Sequence, residues 1–272
     1  MHNTYRSFFG LSKDPFTPEI DRNDIMETAA VKGVQDRILH AVEIGAATLV
    51  TGEIGSGKST ALRYVMGGFH PSQYKVIYIT ATSGSILELY RQITHEMGID
   101  LTSNSKAIMT KIIKAEVLDL VHKKMKVVLV IDEASLLRLN VFAELHTLTQ
   151  FEKDSKPHLP LVLAGQNNLA DNLRYRDSLP LASRVVGRAH LKGVARMEMQ
   201  QYLDHHLLLA GIEHSVFEES AVTAIHQGSG GLFRKSNHLA RGALIAAAKS
   251  KAIMVSAEHV RLAATEIFGS FV

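Results

Sequence analysis

Apolar residues recur at helical spacing from Val31 through Val34, Ile38, Ala41 and Val42, and Gly45 follows, so the pattern predicts a helix that stops there. Ala46-Ala47-Thr48-Leu49-Val50-Thr51 then reads as a buried strand, and Thr60–Met66 as a helix. A second strand is expected at Lys75–Thr80, and a helix from Ser85 to Met97 closed by Gly98. Ser103 or Ser105 can cap a long helix running towards Met125. Val127–Ile131 is continuously apolar, as a central parallel strand covered on both faces should be. Asn140 can cap a helix over Val141–Phe151; strands follow at Leu159–Gly165 and Val185–Leu191. Strands alternating with helices predict an α/β fold with a doubly wound parallel sheet and right-handed crossovers.

After Lys192 the strand-like runs cease. Four helical patterns follow, at Met197–Ala210, Glu218–Gln227, Leu232–Lys249 and Ser256–Ile267, separated by Gly211, Gly228-Ser229-Gly230-Gly231 and Ser250. The expected organisation is a docking segment at 1–24, an α/β core at 25–191 and a small all-α lid at 192–272. In the first segment Phe8-Phe9-Gly10-Leu11 and Asp14-Pro15-Phe16, with Pro18, suggest irregular structure packed on a core.

Composition narrows the class. The chain has 272 residues, 46% of them hydrophobic, enough for an α/β core and a smaller second domain. No run reaches the roughly 18 apolar residues of a membrane span, and no signal pattern opens the chain, so the expected compartment is cytoplasmic, with no membrane partner. The sequence has no cysteine, which excludes disulfides, thiolate catalysis and zinc–thiolate sites. None of the 14 histidines shows H-E-x-x-H spacing. A net charge of +3 permits a nucleic-acid partner without indicating one.

The chemistry is concentrated in Gly52-Glu53-Ile54-Gly55-Ser56-Gly57-Lys58-Ser59-Thr60, which fits G-x-x-x-x-G-K-[ST]. Glycines let the backbone turn tightly and aim successive N–H groups at one anion. A helix starting at Lys58 adds the positive end of its dipole beneath the phosphates. Lys58 then reaches the β- and γ-phosphates, and the Ser59 hydroxyl ligates Mg²⁺. A strand before the loop and a helix after it are the context this motif requires. The expected ligand is ATP with Mg²⁺.

Asp132-Glu133 follows the third strand, at the carboxyl end where open parallel sheets bind ligands. Asp132 is placed to hold Mg²⁺, mainly through its water shell, and Glu133 to polarise an attacking water. The pair favours hydrolysis over phosphate transfer to a small metabolite.

These motifs, with an arginine before the fifth strand and a helical lid, resemble an AAA+ ATPase. More narrowly, Phe8-Phe9-Gly10-Leu11, Asp14-Pro15-Phe16, Gly52-Glu53, Gly57-Lys58-Ser59, Val130-Ile131-Asp132-Glu133-Ala134, Leu163-Ala164-Gly165-Gln166 and Gly230-Gly231 with Arg234 and Asn237 resemble the ExeA/GspA family. Ser135 stands where that family often has His or Gln, and Phe233 where it often has Pro. Secretion-type members add a membrane span and a peptidoglycan-binding domain, for which 272 residues leave no room. Short members resemble transposition helpers such as the Mu B protein, TniB and TnsC. The resemblance therefore implies an ATPase that forms a homo-oligomer, ring or filament, on double-stranded DNA without sequence preference and assists a DDE-type transposase. The alternative is a secretion or envelope-assembly ATPase acting on a protein partner.

The resemblance also implies roles for single residues. Gln166 matches a polar sensor at the end of the fourth strand, or caps the next helix. Arg184 matches an arginine finger offered to a neighbouring subunit, with Arg188 as competitor and a plain surface arginine as the alternative. Arg234 matches a lid arginine directed at the γ-phosphate, or forms a salt bridge on the lid. Lys106, Lys111, Lys114 and Lys124 fall within an arc of roughly 140° on the long helix. They form either a phosphate-contacting stripe or a solvated face. A small-molecule kinase, a GTPase, a two-lobed helicase and a scaffold that binds ATP without hydrolysing it fit less of this pattern.

Overall fold

All five apolar runs form strands: β1 (Ala47–Gly52), β2 (Tyr74–Thr80), β3 (Lys126–Asp132), β4 (Leu161–Gly165) and β5 (Val185–Leu191). The computed structural model describes residues 2–101 and 103–268. Every strand pairing is parallel, and the order across the sheet is β2-β3-β4-β1-β5. Burial follows this order. All residues of β1 and β4, and all of β3 except Lys126, are buried. Edge strands β2 and β5 are only partly covered and carry the polar residues Lys75, Arg188 and His190.

The helices are α1 (His2–Phe9), α2 (Ala29–Ile44), α3 (Lys58–Met66), α4 (Ile86–Met97), α5 (Lys106–His122), α6 (Leu139–Leu148), α7 (Asn168–Asn172), α8 (Leu179–Ala182), α9 (Arg196–Leu209), α10 (Glu219–Ser229), α11 (Phe233–Lys249) and α12 (Ala257–Phe268). Local chemistry sets several ends. Thr28 caps α2 through its hydroxyl, and Gly45 ends it with φ 71°, a left-handed turn that disfavours a β-carbon. Gly98 ends α4 in the same way, with φ 81°.

The chain divides into two compact units, one of residues 27–52 and 58–191, the other of 1–26, 53–57 and 192–272. The α/β unit is held by apolar side chains, with Leu129, Ile131, Ile113, Ile93 and Phe142 fully buried. The helical unit gathers Tyr5, Leu11 and Phe16 with Met199, Leu203, Leu207, Phe217 and Leu244. The lid expectation runs to 272, and its residues 269–272 lie outside those described.

Three expectations are corrected. The N-terminal stretch is not irregular from its start. His2–Phe9 is helical, with Tyr5 buried in the helical cluster, and Gly10, at φ 71°, marks the end of this helix. Asn140 is not a cap. It lies in the first turn of α6, and Arg138 occupies the cap position. Lys124 is not on the long helix, because α5 ends at His122 and Lys124 follows in a left-handed turn at φ 62°.

Candidate nucleotide site

Between β1 and α3 the backbone turns at Gly55 and Gly57, with φ of 85° and 95°. Side chains other than hydrogen strongly disfavour both angles. Ser56 between them is buried, and its Oγ has no hydrogen-bond partner among the described residues. Such an orphan is unusual in a folded protein and marks a place where a polar ligand fits. Glu53 and Ile54 are exposed on the loop. Lys58, Ser59 and Thr60 form the first turn of α3, whose amide groups have no intrahelical acceptor. Lys58 is buried, and its Nζ donates to Gly52 O at 3.0 Å. An ammonium held on a carbonyl at a helix N-terminus, beside positive-φ glycines, suits an anion with several oxygens.

Strand register brings the other candidates to the same edge. Thr51 of β1 is level with Gly165 of β4, and Leu163 of β4 is level with Ile131 of β3. Gly52, Gln166 and Asp132-Glu133 therefore emerge together at the carboxyl ends of three adjacent strands. Asp132 is buried and held from two sides. Its Oδ1 accepts from Glu133 N at 2.8 Å, and its Oδ2 accepts from the Tyr78 hydroxyl at 2.9 Å. Burial, with the charge of Asp132 alongside, pushes the Tyr78 phenol well above its ordinary value, so it remains a donor. Glu133 takes φ 53°, a left-handed conformation that costs energy outside glycine. Among the described residues its half-buried carboxylate has no side-chain hydrogen-bond partner.

Ser135 joins β4 to the turn after β3. Its Oγ accepts from Gln166 N at 3.2 Å. A β-carbon at Gly165 would lie 2.8 Å from Ser135 N, so only glycine permits this approach. The Gln166 side chain is half-buried and makes no hydrogen bond among the described residues.

Arg184 lies elsewhere. It precedes β5, and its carbonyl accepts from Ala47 N at 2.9 Å at the amino end of the sheet. The seven residues of β5 span roughly 20 Å, so Arg184 is remote from the carboxyl edge of its own sheet. Its guanidinium is engaged within the chain: Nε donates to His146 Nδ1 at 3.1 Å, and a second nitrogen pairs with Asp154. Burial, then the charge of Arg184, lowers the His146 pKa. Arg188 is exposed on β5.

The lysine arc is not uniformly free. Lys106 pairs with Glu144 at 2.5 Å. Lys114 is half-buried and donates to Thr147 O at 2.9 Å and Gln150 O at 2.7 Å, closing the C-terminal end of α6. Burial lowers its pKa. Lys111 is exposed and has no such tie among the described residues.

In the helical unit, Arg234 is the second residue of α11, exposed, and paired with no carboxylate among the described residues. Its backbone N donates to Gly55 O at 3.3 Å.

Residues 45–173 match the family model described as an AAA domain. The fold is that of a P-loop AAA+ protein. The chain is 30% identical over 268 residues to the general secretion pathway protein A of Aeromonas hydrophila, an alignment covering 97% of this chain and 49% of that protein. It thus spans about half the length of the curated relative it matches. Cdc6p of Pyrobaculum aerophilum is similar in structure, with a TM-score of 0.72 at 16% identity over 94% of this chain and 72% of that one. The ORC1 protein of Aeropyrum pernix, solved in complex with DNA, has a TM-score of 0.66 at 18% identity over 93% and 68%. Identities this low speak to the AAA+ fold alone. Among the described residues no helix is long and apolar enough to cross a membrane.

Sequence reasoning missed Tyr78, Ser135, His146 and Asp154, each of which positions a candidate. Tyr78 left one signal: a phenol in an apolar strand needs a partner for its hydroxyl when buried.

Proposed function

We propose that this chain hydrolyses ATP with Mg²⁺. The observation that carries the reading is the strand register, which puts the phosphate loop, a polar amide and an Asp-Glu pair at one edge of an AAA+ sheet. The loop amides and Lys58 bind the triphosphate; Ser59 and Asp132 hold the cation, the latter with its carboxylate fixed by Tyr78 and Glu133 N. Magnesium, when bound, neutralises charge that develops on the phosphate oxygens. Glu133, whose carboxylate has no side-chain hydrogen-bond partner among the described residues, accepts a proton from the attacking water, and Gln166 orients that water. Arg234, whose backbone N donates to Gly55 O, is assigned the role of a cation directed at the γ-phosphate. Arg184, too far along its own sheet to serve its own site, acts on a neighbouring subunit once it leaves Asp154 and His146.

For the wider role we propose a homo-oligomer on double-stranded DNA that assists a transposase. Support comes from motifs that resemble the ExeA/GspA family, whose short members resemble transposition helpers, and from an AAA+ fold that also occurs in a solved protein–DNA complex. DNA contact cannot rest on a lysine stripe, since Lys106 and Lys114 are tied to protein groups. The second reading, an ATPase for secretion or envelope assembly, is favoured by the 30% identity to the general secretion pathway protein. ATPase assays with and without duplex DNA separate the two. The first reading expects stimulation that falls steeply between 50 and 200 mM salt, about a thousandfold or more in affinity for six or more phosphate contacts. A rate indifferent to DNA at every salt concentration favours the second.

A further inference from the structure

The loop residues 53–57 belong to the helical unit, and their neighbours there form a continuous column. A β-carbon at Gly57 would lie 3.3 Å from the Phe233 ring, and one at Gly55 would lie 2.8 Å from Arg234 Cβ. Phe233 packs against Tyr202 with ring centroids 4.6 Å apart. Tyr202 is held in place by its hydroxyl, which donates to Asn237 Oδ1 at 2.8 Å, and meets the His206 ring edge-on at 4.4 Å. His206 Nδ1 donates to Pro15 O at 2.6 Å, and its ring lies 5.6 Å from Phe16. Phe16 is buried and packs edge-on to Phe217, 6.1 Å away. Asp14, beside it, is gripped by the Tyr5 hydroxyl at 2.5 Å and by Arg241 at 2.6 Å. Four rings thus connect the Asp14-Pro15-Phe16 motif with the phosphate loop.

Where the column ends matters. Gly57 has no side chain, and the Phe233 ring stands where a β-carbon there would crowd it, while the next residue's N donates to Gly55 O at 3.3 Å, so a shift of the ring is passed to the backbone that carries the amides. Aromatic rings packed in series are close to incompressible on this scale. An ordinary apolar core would end on side chains that adjust their rotamers instead.

We infer that the N-terminal segment, through Phe16, His206, Tyr202 and Phe233, sets the conformation of the phosphate loop and so tunes nucleotide affinity. The four act as positioning residues. The inference rests on the reading that the loop binds a nucleotide. Linkage then requires the reverse effect: a bound nucleotide must strengthen docking of the segment by the same factor.

The test uses the full chain with two readouts. The first is the ATP dissociation constant, with kcat beside it, for Phe233→Leu, Phe16→Leu and the double variant; Phe233→Tyr, which keeps the ring, is the rescue. The expected result is about fivefold or more weaker binding in each single variant, kcat within about twofold, near-wild-type binding in Phe233→Tyr, and a double variant little worse than either single. The second readout is trypsin cleavage at Lys13, whose side chain is more than half exposed. ATP should slow cleavage in the wild type and not in Phe233→Leu. Tyr202→Phe, which loses only a hydroxyl, serves where a leucine variant does not fold and should shift affinity in the same direction. Independent effects that multiply in the double variant, or cleavage at Lys13 unmoved by ATP that demonstrably binds, would overturn the inference alone. A wild type that binds no ATP would overturn the functional reading beneath it.

Discussion

In the α/β unit, stability comes from apolar strands and the helices around them, and polar groups are left open at the carboxyl ends: the Glu133 carboxylate and the Gln166 amide, with no side-chain hydrogen bond among the described residues. The helical unit does the opposite. Away from the loop and Arg234, several of its polar side chains are paired internally, with Asp14 held by Tyr5 and Arg241, His206 on Pro15 O and Tyr202 on Asn237. Polar residues without partners in the first unit are candidates for chemistry. Those with partners in the second join a chain segment to a helical cluster. Arg184 does not fit this division, being a candidate for chemistry that is tied down by Asp154.

The contrast makes separable predictions. The largest effect is expected for Glu133→Gln. Losing the general base should lower ATP turnover by about a thousandfold, while nucleotide binding and the melting temperature stay at wild-type values. A variant that melts early instead would mean that Glu133 is structural.

Next is the pH response of the helical unit. Burial chiefly, helped by the charges of His205 and Lys13, lowers the His206 pKa from 6.5 to about 4. Between those values the unfolded chain binds the extra proton, so stability falls as pH drops from 6.5 to 4 and then levels off. The loss from this group should total about 3 kcal/mol, at 1.36 kcal/mol per unit. Denaturant titrations at a series of pH values should show that slope, and His206→Phe should flatten it. An unchanged slope in the variant would place the sensitivity elsewhere.

The smallest effect is expected for Tyr78→Phe. It removes one hydrogen bond to a buried carboxylate and should cost about 1–2 kcal/mol of stability. It should also raise the Mg²⁺ concentration needed for half-maximal turnover, because Asp132 loses a fixed orientation. Stability and Mg²⁺ dependence both unmoved would show that Glu133 N alone suffices to hold Asp132.

What was legible in the sequence was local. Apolar runs marked the five strands, Gly45 and Gly98 marked two helix ends, and the spacing of glycines around Lys58 marked the loop, because each depends on neighbours in the chain. The first helix was not, since Gly10 and Pro15 as turn signals masked the helical residues before them. Partnerships across the fold were not legible either. Tyr78 meets Asp132 from the adjacent strand, Asp154 meets Arg184 across the amino end of the sheet, and Lys114 caps a helix from outside it. Helical spacing correctly grouped Lys106, Lys111 and Lys114 on one helix, but it could not reveal that two of them face protein acceptors.

Calorimetric titration of the full chain with ATP and Mg²⁺, beside Lys58→Ala, tests the central claim most directly. Saturable binding at one site per chain in the wild type, lost in Lys58→Ala at equal thermal stability, is the predicted result. Absence of binding in the wild type, or equal binding in the two proteins, would contradict it.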